Sequence, residues 1–289
     1  MRDFKGKTAF ITGGASGIGF GMAQVFADAG MRIALADVEA PVLGTSVGKL
    51  QDAGVDARGF ECDVSDPASY RRAADQALAA FGKVHVLCNN AGVARTGASY
   101  EIASRDWEWT IAVNLMGMIY GLQNFVPHMK SHGEGSHIVS TSSMAGMRAS
   151  IAGAPYTATK FAMVGLSEVL ANELKGTNIG VSVFCPNNIR SNMPRNGRNR
   201  PARFGGAIDE NSDPHAAAHI RDMGKRNEGG MDPFEAGLRV LKGIENGQLY
   251  IFSHADERGV IEQRFKRILG DMDAAAALGP QGALLTAKR

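Results

Sequence analysis

Thr8-Ala-Phe-Ile-Thr-Gly-Gly-Ala-Ser-Gly-Ile-Gly19 decides the fold. Thr8 to Ile11 reads as a strand, the run from Gly13 to Gly19 as a glycine turn, and residues 18–29 as the helix that follows. Glycine lets a backbone turn tightly and approach a bound group, and the free N–H groups of a helix start receive negative charge. Strand, glycine turn and helix in this order predict a cradle for a dinucleotide pyrophosphate. Its candidate contacts are Gly13, Ser16, Gly17, Ile18 and Gly19, with Ile18 also anchoring the helix to the sheet.

The same rhythm continues downstream. Further strands are expected at Arg32 to Ala36, Ala57 to Cys62, Val84 to Cys88, Ser136 to Ser140, Gly180 to Cys185 and Leu249 to Phe252. Helical patterns lie between them near 41–53, 67–81, 104–130, 156–175 and 233–246. Asp66-Pro67 and Asp232-Pro233 each pair an N-cap acid with a first-turn proline, and Glu235 sits at the capping-box position. Strands alternating with helices predict an α/β, single-domain Rossmann fold over 1–289: a doubly wound, seven-stranded parallel sheet with helices on both faces. The rhythm breaks over about 188–231, which is rich in Asn, Arg, Gly, His and Pro and reads as an extended substrate lid. A C-terminal extension, about 254–289, opens with a charged amphipathic helix near 255–271.

Asp37 ends the second strand, eighteen residues beyond Gly19. Its carboxylate can accept from both hydroxyls of an adenosine ribose and would repel a 2′-phosphate. Val38 and Glu39 follow it, with no cation at hand, so the expected cofactor is NAD rather than NADP. A solvated loop acid is the bland alternative. Asp63 is expected at the adenine edge, with Val64 packing beside it. Asn90, Ala91 and Gly92 close the fourth strand, where small residues let a cofactor lie against the strand ends.

Bulk composition excludes several classes. Thirty-one basic residues against 29 acidic ones give a formal charge of +2, too little to draw nucleic acid or an anionic membrane. The basic patch from Arg195 to Arg203 lacks interleaved aromatics and reads as a solvated lid or loop. Cys62, Cys88 and Cys185 have no metal-ligand spacing and read as buried thiols of a reducing compartment. The seven histidines form no ligand motif, so no metal is expected. The start of the chain lacks a signal-peptide pattern, and no apolar run reaches membrane-span length, which makes a cytoplasmic protein the default.

Tyr156 and Lys160, in Tyr-Thr-Ala-Thr-Lys, lie one helical turn apart on one face. An ammonium beside a phenol favours the phenolate, which makes the pair a candidate proton-transfer device; taken alone, a chance surface pair is the better explanation. With TGGASGIG at 12–19, NNAG at 89–92, Asn114, SSMAG at 142–146 and YTATK at 156–160, the chain resembles the short-chain dehydrogenase/reductase family from Thr8 to about Phe252. The resemblance implies an NAD-linked enzyme acting on an alcohol or ketone. Tyr156 would be its general base or acid, and Lys160 would support Tyr156 and bind the nicotinamide ribose. Ser143, in preference to Ser142, would bond the substrate oxygen, and Asn114 would hold a relay water. It also implies cofactor contacts from Pro186, Ile189 and Ser191, and assembly as a homodimer or homotetramer. The family's proline-glycine pair after the sixth strand is Pro186-Asn187 here, a turn that asparagine can still accommodate.

Specificity is expected from the loop after Gly92, from residues 144–155 and from the lid. Met144, Met147, Ile151 and Pro155 would supply an apolar wall, Arg148 a polar contact, and Met193 and Phe204 closure over a bulky apolar or aromatic substrate; each methionine also has a plain packing reading. GGASGIGFG at 13–21, Pro186 to Asn192, and RPARFG at 200–205 look most like the bacterial NAD-dependent Cα-dehydrogenases. These oxidise the benzylic alcohol of β-aryl ether lignin dimers. A steroid or alicyclic alcohol is the alternative substrate, and a non-catalytic dinucleotide sensor the alternative class.

Overall fold

Strand β1 (Thr8–Thr12) is buried along its whole length and sits inside the sheet, pairing in parallel with β2 (Arg32–Asp37) on one edge and β4 (Val86–Asn89) on the other. The computed structural model describes residues 1–149, 153–208, 221, 224–225 and 227–278. Beyond β2 lies β3 (Ala57–Glu61); beyond β4 come β5 (Ser136–Thr141), β6 (Ile179–Cys185) and β7 (Tyr250–Phe252). All seven strands are parallel, in the order β3-β2-β1-β4-β5-β6-β7. The expected doubly wound sheet is therefore the observed one. Chain direction across the sheet reverses between β1 and β4, and the crevice beyond their carboxyl ends is where such sheets take ligands.

Period-two alternation feeds two apolar layers. Ala9, Ile11, Ile33 and Leu35 join one core with Met22, Val25 and Phe26 of α1 (Gly17–Asp28) and Val240 and Ile244 of α7 (Pro233–Glu245). Phe10, Ala34 and Leu87 join the other, with Tyr70 and Ala73 of α3 (Pro67–Phe81), Phe125 of α5 (Gly117–His132) and Leu170 of α6 (Ala154–Glu173). The rings of Phe10 and Phe125 lie 4.6 Å apart, which ties α5 directly to the central strand. Helix α2 (Ala40–Asp52) runs between β2 and β3. Both predicted caps form: Asp66 Oδ1 accepts from Ala68 N at 3.0 Å, and Asp232 Oδ1 from Phe234 N at 2.9 Å.

One expected helix is broken. The stretch near 104–130 consists of α4 (Ser104–Ile111), a π turn (Ala112–Met116) and α5. A π turn widens the hydrogen-bond ring by a residue, and such bulges gather at functional sites. This one carries Asn114. Within the described part of the lid, Met193–Asn199 and Ala202–Phe204 form 3₁₀ segments; residues 209–220, 222–223 and 226, with Ile151, lie outside the described residues. The chain divides into two units, Met1–Ser253 and His254–Arg289. The second holds α8 (Arg258–Ala277), longer at its C-terminal end than the sequence pattern suggested because Ala274 to Ala277, strong helix formers, continue it. Among the described residues, no helix is long and apolar enough to cross a membrane.

Candidate active site

A cleft of about 640 Å³ opens beyond the carboxyl ends of β1 and β4. Its floor is the glycine turn. Ser16 caps α1 with extended backbone and no side-chain capping bond, which leaves the first-turn N–H groups of that helix for a ligand. Gly13, Ser16, Gly17 and Ile18 line the cleft. Gly19 stands behind them, where a Cβ would fall 2.2 Å from the Gly13 carbonyl oxygen, so the turn closes only with glycine there.

Asn90 holds three strand ends together. Its Nδ2 donates to the carbonyls of Thr12 (3.0 Å) and Gly13 (3.3 Å), and its Oδ1 accepts from Thr141 Oγ1 at 3.2 Å. Thr12 Oγ1 in turn accepts from the backbone N–H groups of Asn90 and Ala91. Asn90, Ala91 and Gly92 all face the cleft, as the sequence predicted.

The acids at the other end differ in their partners. Asp37 accepts from Ala15 N (3.0 Å) and Glu39 N (3.1 Å), and burial raises its pKa against those two N–H bonds. Among the described residues no cation pairs with it, so its charge stays available to hydroxyl donors. Asp63 also lines the cleft, but its Oδ1 takes both the N–H and the hydroxyl of Ser65, and its Oδ2 takes Arg203 Nη2 at 2.7 Å. Val64 lies beside it.

The basic patch is not a solvated loop. Arg200 is buried, with Nη1 2.5 Å from Asp106 Oδ1, and Arg95 Nε lies 3.5 Å from the same oxygen. Arg198 grips Glu39 with two nitrogens, Nε to Oε1 at 2.8 Å and Nη2 to Oε2 at 2.5 Å. Arg203 reaches Asp63 and Ser65. The lid is thus tied to the body through three arginines. Asp106→Ala would leave two guanidinium groups without their buried carboxylate, and breaking such a pair costs about 3–5 kcal/mol. The urea midpoint should fall accordingly with an unchanged slope; an unaltered midpoint would remove Asp106 as an anchor.

At the opposite end β5 leads into a 3₁₀ turn (Met144–Gly146), and α6 packs against it. A Cβ on Gly146 would stand 2.6 Å from the Lys160 carbonyl oxygen, so this glycine allows the close approach. Ser142 Oγ donates to that same carbonyl at 2.8 Å and serves α6. Ser143 instead lines the cleft with Tyr156; its Oγ accepts from Ala145 N at 3.1 Å and donates to Pro186 O at 3.5 Å. Burial raises the Tyr156 pKa, and the neighbouring Ser143 hydroxyl partly opposes that rise. Lys160 is 2% exposed, and burial lowers its pKa to about 7. Its Nζ donates to Thr141 O at 2.7 Å and lies 5.3 Å from the centre of the Tyr156 ring.

Asn114 does not line the cleft. Its Oδ1 accepts from Val93 N (2.8 Å), and its Nδ2 donates to Val93 O (3.0 Å) and Thr159 Oγ1 (3.0 Å), with Thr159 Oγ1 donating to Tyr156 O. Its side chain therefore fixes the Val93 loop against the helix bearing Tyr156. Pro186, Ile189 and Ser191 line the cleft. Ser191 is held by Asn227, whose amide bonds both its N–H and its carbonyl. The Asn187 N–H donates to Ser253 Oγ at 2.9 Å.

The expected substrate wall is only partly present. Met193 lines the cleft; Met144, Met147, Pro155 and Arg148 are not among its lining residues. Met144 is buried because its N–H is drawn to Pro186 O and the 3₁₀ turn points its side chain away from solvent, while Met147 packs on Val164, Val183 and Cys185. Val93, Trp109, Val113 and Pro194 supply apolar lining that the motifs did not suggest.

The model of the short chain dehydrogenase family matches residues 7–202. The chain belongs to the short-chain dehydrogenase/reductase family. It is 39% identical over 285 residues to the C alpha-dehydrogenase of Sphingobium sp. (strain NBRC 103272 / SYK-6), covering 98% of this chain and 92% of that one. A short chain dehydrogenase/reductase from Burkholderia phymatum, solved in complex with NAD, superposes with a TM-score of 0.89 at 34% identity, covering 94% of this chain and 97% of the other. The apo form of LigD from Sphingobium sp. strain SYK-6 gives a TM-score of 0.77 at 34% identity over 93% of this chain and 98% of that one. The resemblance to Cα-dehydrogenases read from the motifs thus extends along nearly the whole chain.

Proposed function

We propose that this dehydrogenase uses NAD to interconvert a bulky secondary alcohol, benzylic at the reacting carbon, and its ketone. One observation carries the reaction: Ser143, Tyr156 and the buried Lys160 line the same cleft, with Lys160 Nζ 5.3 Å from the centre of the Tyr156 ring. A cradle without side chains, an open helix start and a carboxylate unmatched by a cation fit NAD in the rest of the cleft.

Gly13, Ser16, Gly17, Ile18 and Asp37 would hold NAD, which when bound would supply the acceptor for the hydride of the carbinol carbon. Tyr156, as phenolate, takes the hydroxyl proton, and Ser143 donates to the oxygen whose charge changes as the carbonyl forms. Lys160 holds positive charge beside the phenol, with Thr141 O fixing its Nζ. Asn114, through Val93 and Thr159, keeps the cleft wall in register with α6. In the reverse direction Tyr156 returns the proton to the ketone oxygen.

The benzylic reading rests on the likeness to the C alpha-dehydrogenase and on the apolar lining of Val93, Trp109, Val113 and Met193. Cytoplasmic location belongs to the same reading, supported by Cys62, Cys88 and Cys185, all free and buried. So does assembly as a homodimer or homotetramer, supported by Ile111 and Val169, exposed on α4 and α6. Rates of NADH formation with β-aryl ether benzylic, alicyclic and short aliphatic alcohols test the substrate. A kcat/KM at least about tenfold higher for the benzylic alcohol is expected, since one or two matched apolar groups are worth that much. A preference for the alicyclic alcohol would overturn the benzylic assignment, and NAD binding without turnover of any alcohol would overturn the enzyme.

A further inference from the structure

Three carboxylates gather at the Asp37 end of the cleft: Asp37, Glu39 and Asp63. Two lid arginines meet them, and their distribution is uneven. Arg203 takes Asp63 and Arg198 takes Glu39, whereas Asp37 is left with the backbone N–H groups of Ala15 and Glu39. Arg198 lines the same cleft as Asp37 and Val38, and both of its contacts to Glu39 are charge-assisted. Its remaining Nη1 donates to Arg195 O at 2.6 Å. Burial pushes Glu39 up, but Arg198 outweighs it and leaves the carboxyl below its usual range.

The pairing has a consequence for selectivity. A guanidinium in this part of the cleft is a ready partner for a phosphate, because its fork of N–H donors matches phosphate oxygens. Glu39 removes that partner. We propose that Glu39 is a second determinant of cofactor choice beside Asp37, acting through Arg198: it occupies the lid guanidinium so that a 2′-phosphate on the adenosine ribose finds no cation. Asp37 supplies the repulsion and the hydroxyl acceptor; Glu39 withholds the attraction. Rejection of an unwanted group through both a repulsive element and a missing attractive one is how binding sites separate close relatives. The inference rests on the NAD reading of the site.

The test is a binding cycle on the full chain, with NADH and NADPH titrated separately by calorimetry, so that no substrate is needed. Glu39→Gln keeps an acceptor for Arg198 and removes the charge. In the Asp37→Ala background, Glu39→Gln should tighten NADPH about tenfold, the scale of one good charge-assisted contact. Adding Arg198→Ala should erase that gain. NADH binding, changed by less than about threefold between Asp37→Ala and Asp37→Ala/Glu39→Gln, reports that the cleft is intact. NADPH affinity unmoved by Glu39→Gln, or a gain that survives Arg198→Ala, would overturn the proposal. A wild-type preference for NADPH over NADH would instead overturn the NAD reading itself, so the two failures are distinct.

Discussion

Tyr156→Phe is expected to lower kcat/KM for alcohol oxidation about a thousand-fold, within the range that a positioned general base contributes, while NADH binding changes less than about twofold. The substitution removes one oxygen. Its ring still fills the same place in α6, beside Ser143 in the cleft wall. Burial raises the phenol's pKa, so the phenolate that oxidation needs becomes more abundant as pH rises. The wild-type oxidation rate should therefore keep climbing as pH rises through the alkaline range, and the Phe variant should lose that slope. Initial rates of NADH formation across pH, with calorimetric NADH binding as the control, check both parts. If the variant keeps most of the wild-type rate at every pH, Tyr156 is not the base.

What the sequence shows and what it hides divide along contact distance. The glycine turn, Asp37 and the Asn90 segment were legible because short segments fix their roles: glycine where a Cβ would strike a neighbouring carbonyl, an acid at a strand end, small residues at a switch point. The lid anchors were not. Arg198 and Glu39 are 159 positions apart, Arg200 and Asp106 are 94 apart, and no local pattern announces either pair. The Arg195 to Arg203 run therefore read as solvated, although Arg200 is buried. Met144 and Arg148 failed in the opposite way. Proximity in sequence to Ser143 made them look like pocket residues, yet a 3₁₀ turn rotates successive side chains by about a third of a circle and takes Met144 inside. The break at Asn114 was hidden because a π turn keeps helical periodicity on either side.

The structure also sharpens what Lys160 does. Its Nζ sits 5.3 Å from the Tyr156 ring centre and bonds Thr141 O, a placement that fits the proposed action on the phenol through the field of the protonated lysine. At that distance a unit charge is worth about 3 kcal/mol to a neighbouring phenolate, taking an effective dielectric of about 20, or roughly two pKa units. Lys160→Met keeps most of the buried volume and removes the ammonium. It should lower kcat/KM for oxidation about a hundred-fold at and below neutral pH, where Lys160 carries its charge, and the deficit should shrink as pH rises past about 7. The direction follows from the charge: below about pH 7 the cation stabilises the phenolate, and above it the native lysine loses that charge, so wild type and variant converge. Stability should move the other way. Burial holds the Lys160 pKa near 7, below its unfolded value, so the unfolded chain binds the extra proton between those limits. Stability contributed by this group therefore rises as pH increases from about 7 towards the unfolded value of about 10.4, a dependence that the Met variant should lack. Urea unfolding at pH 7 and 9 measures it. A rate loss equally deep below and well above neutral pH would assign Lys160 to cofactor binding alone.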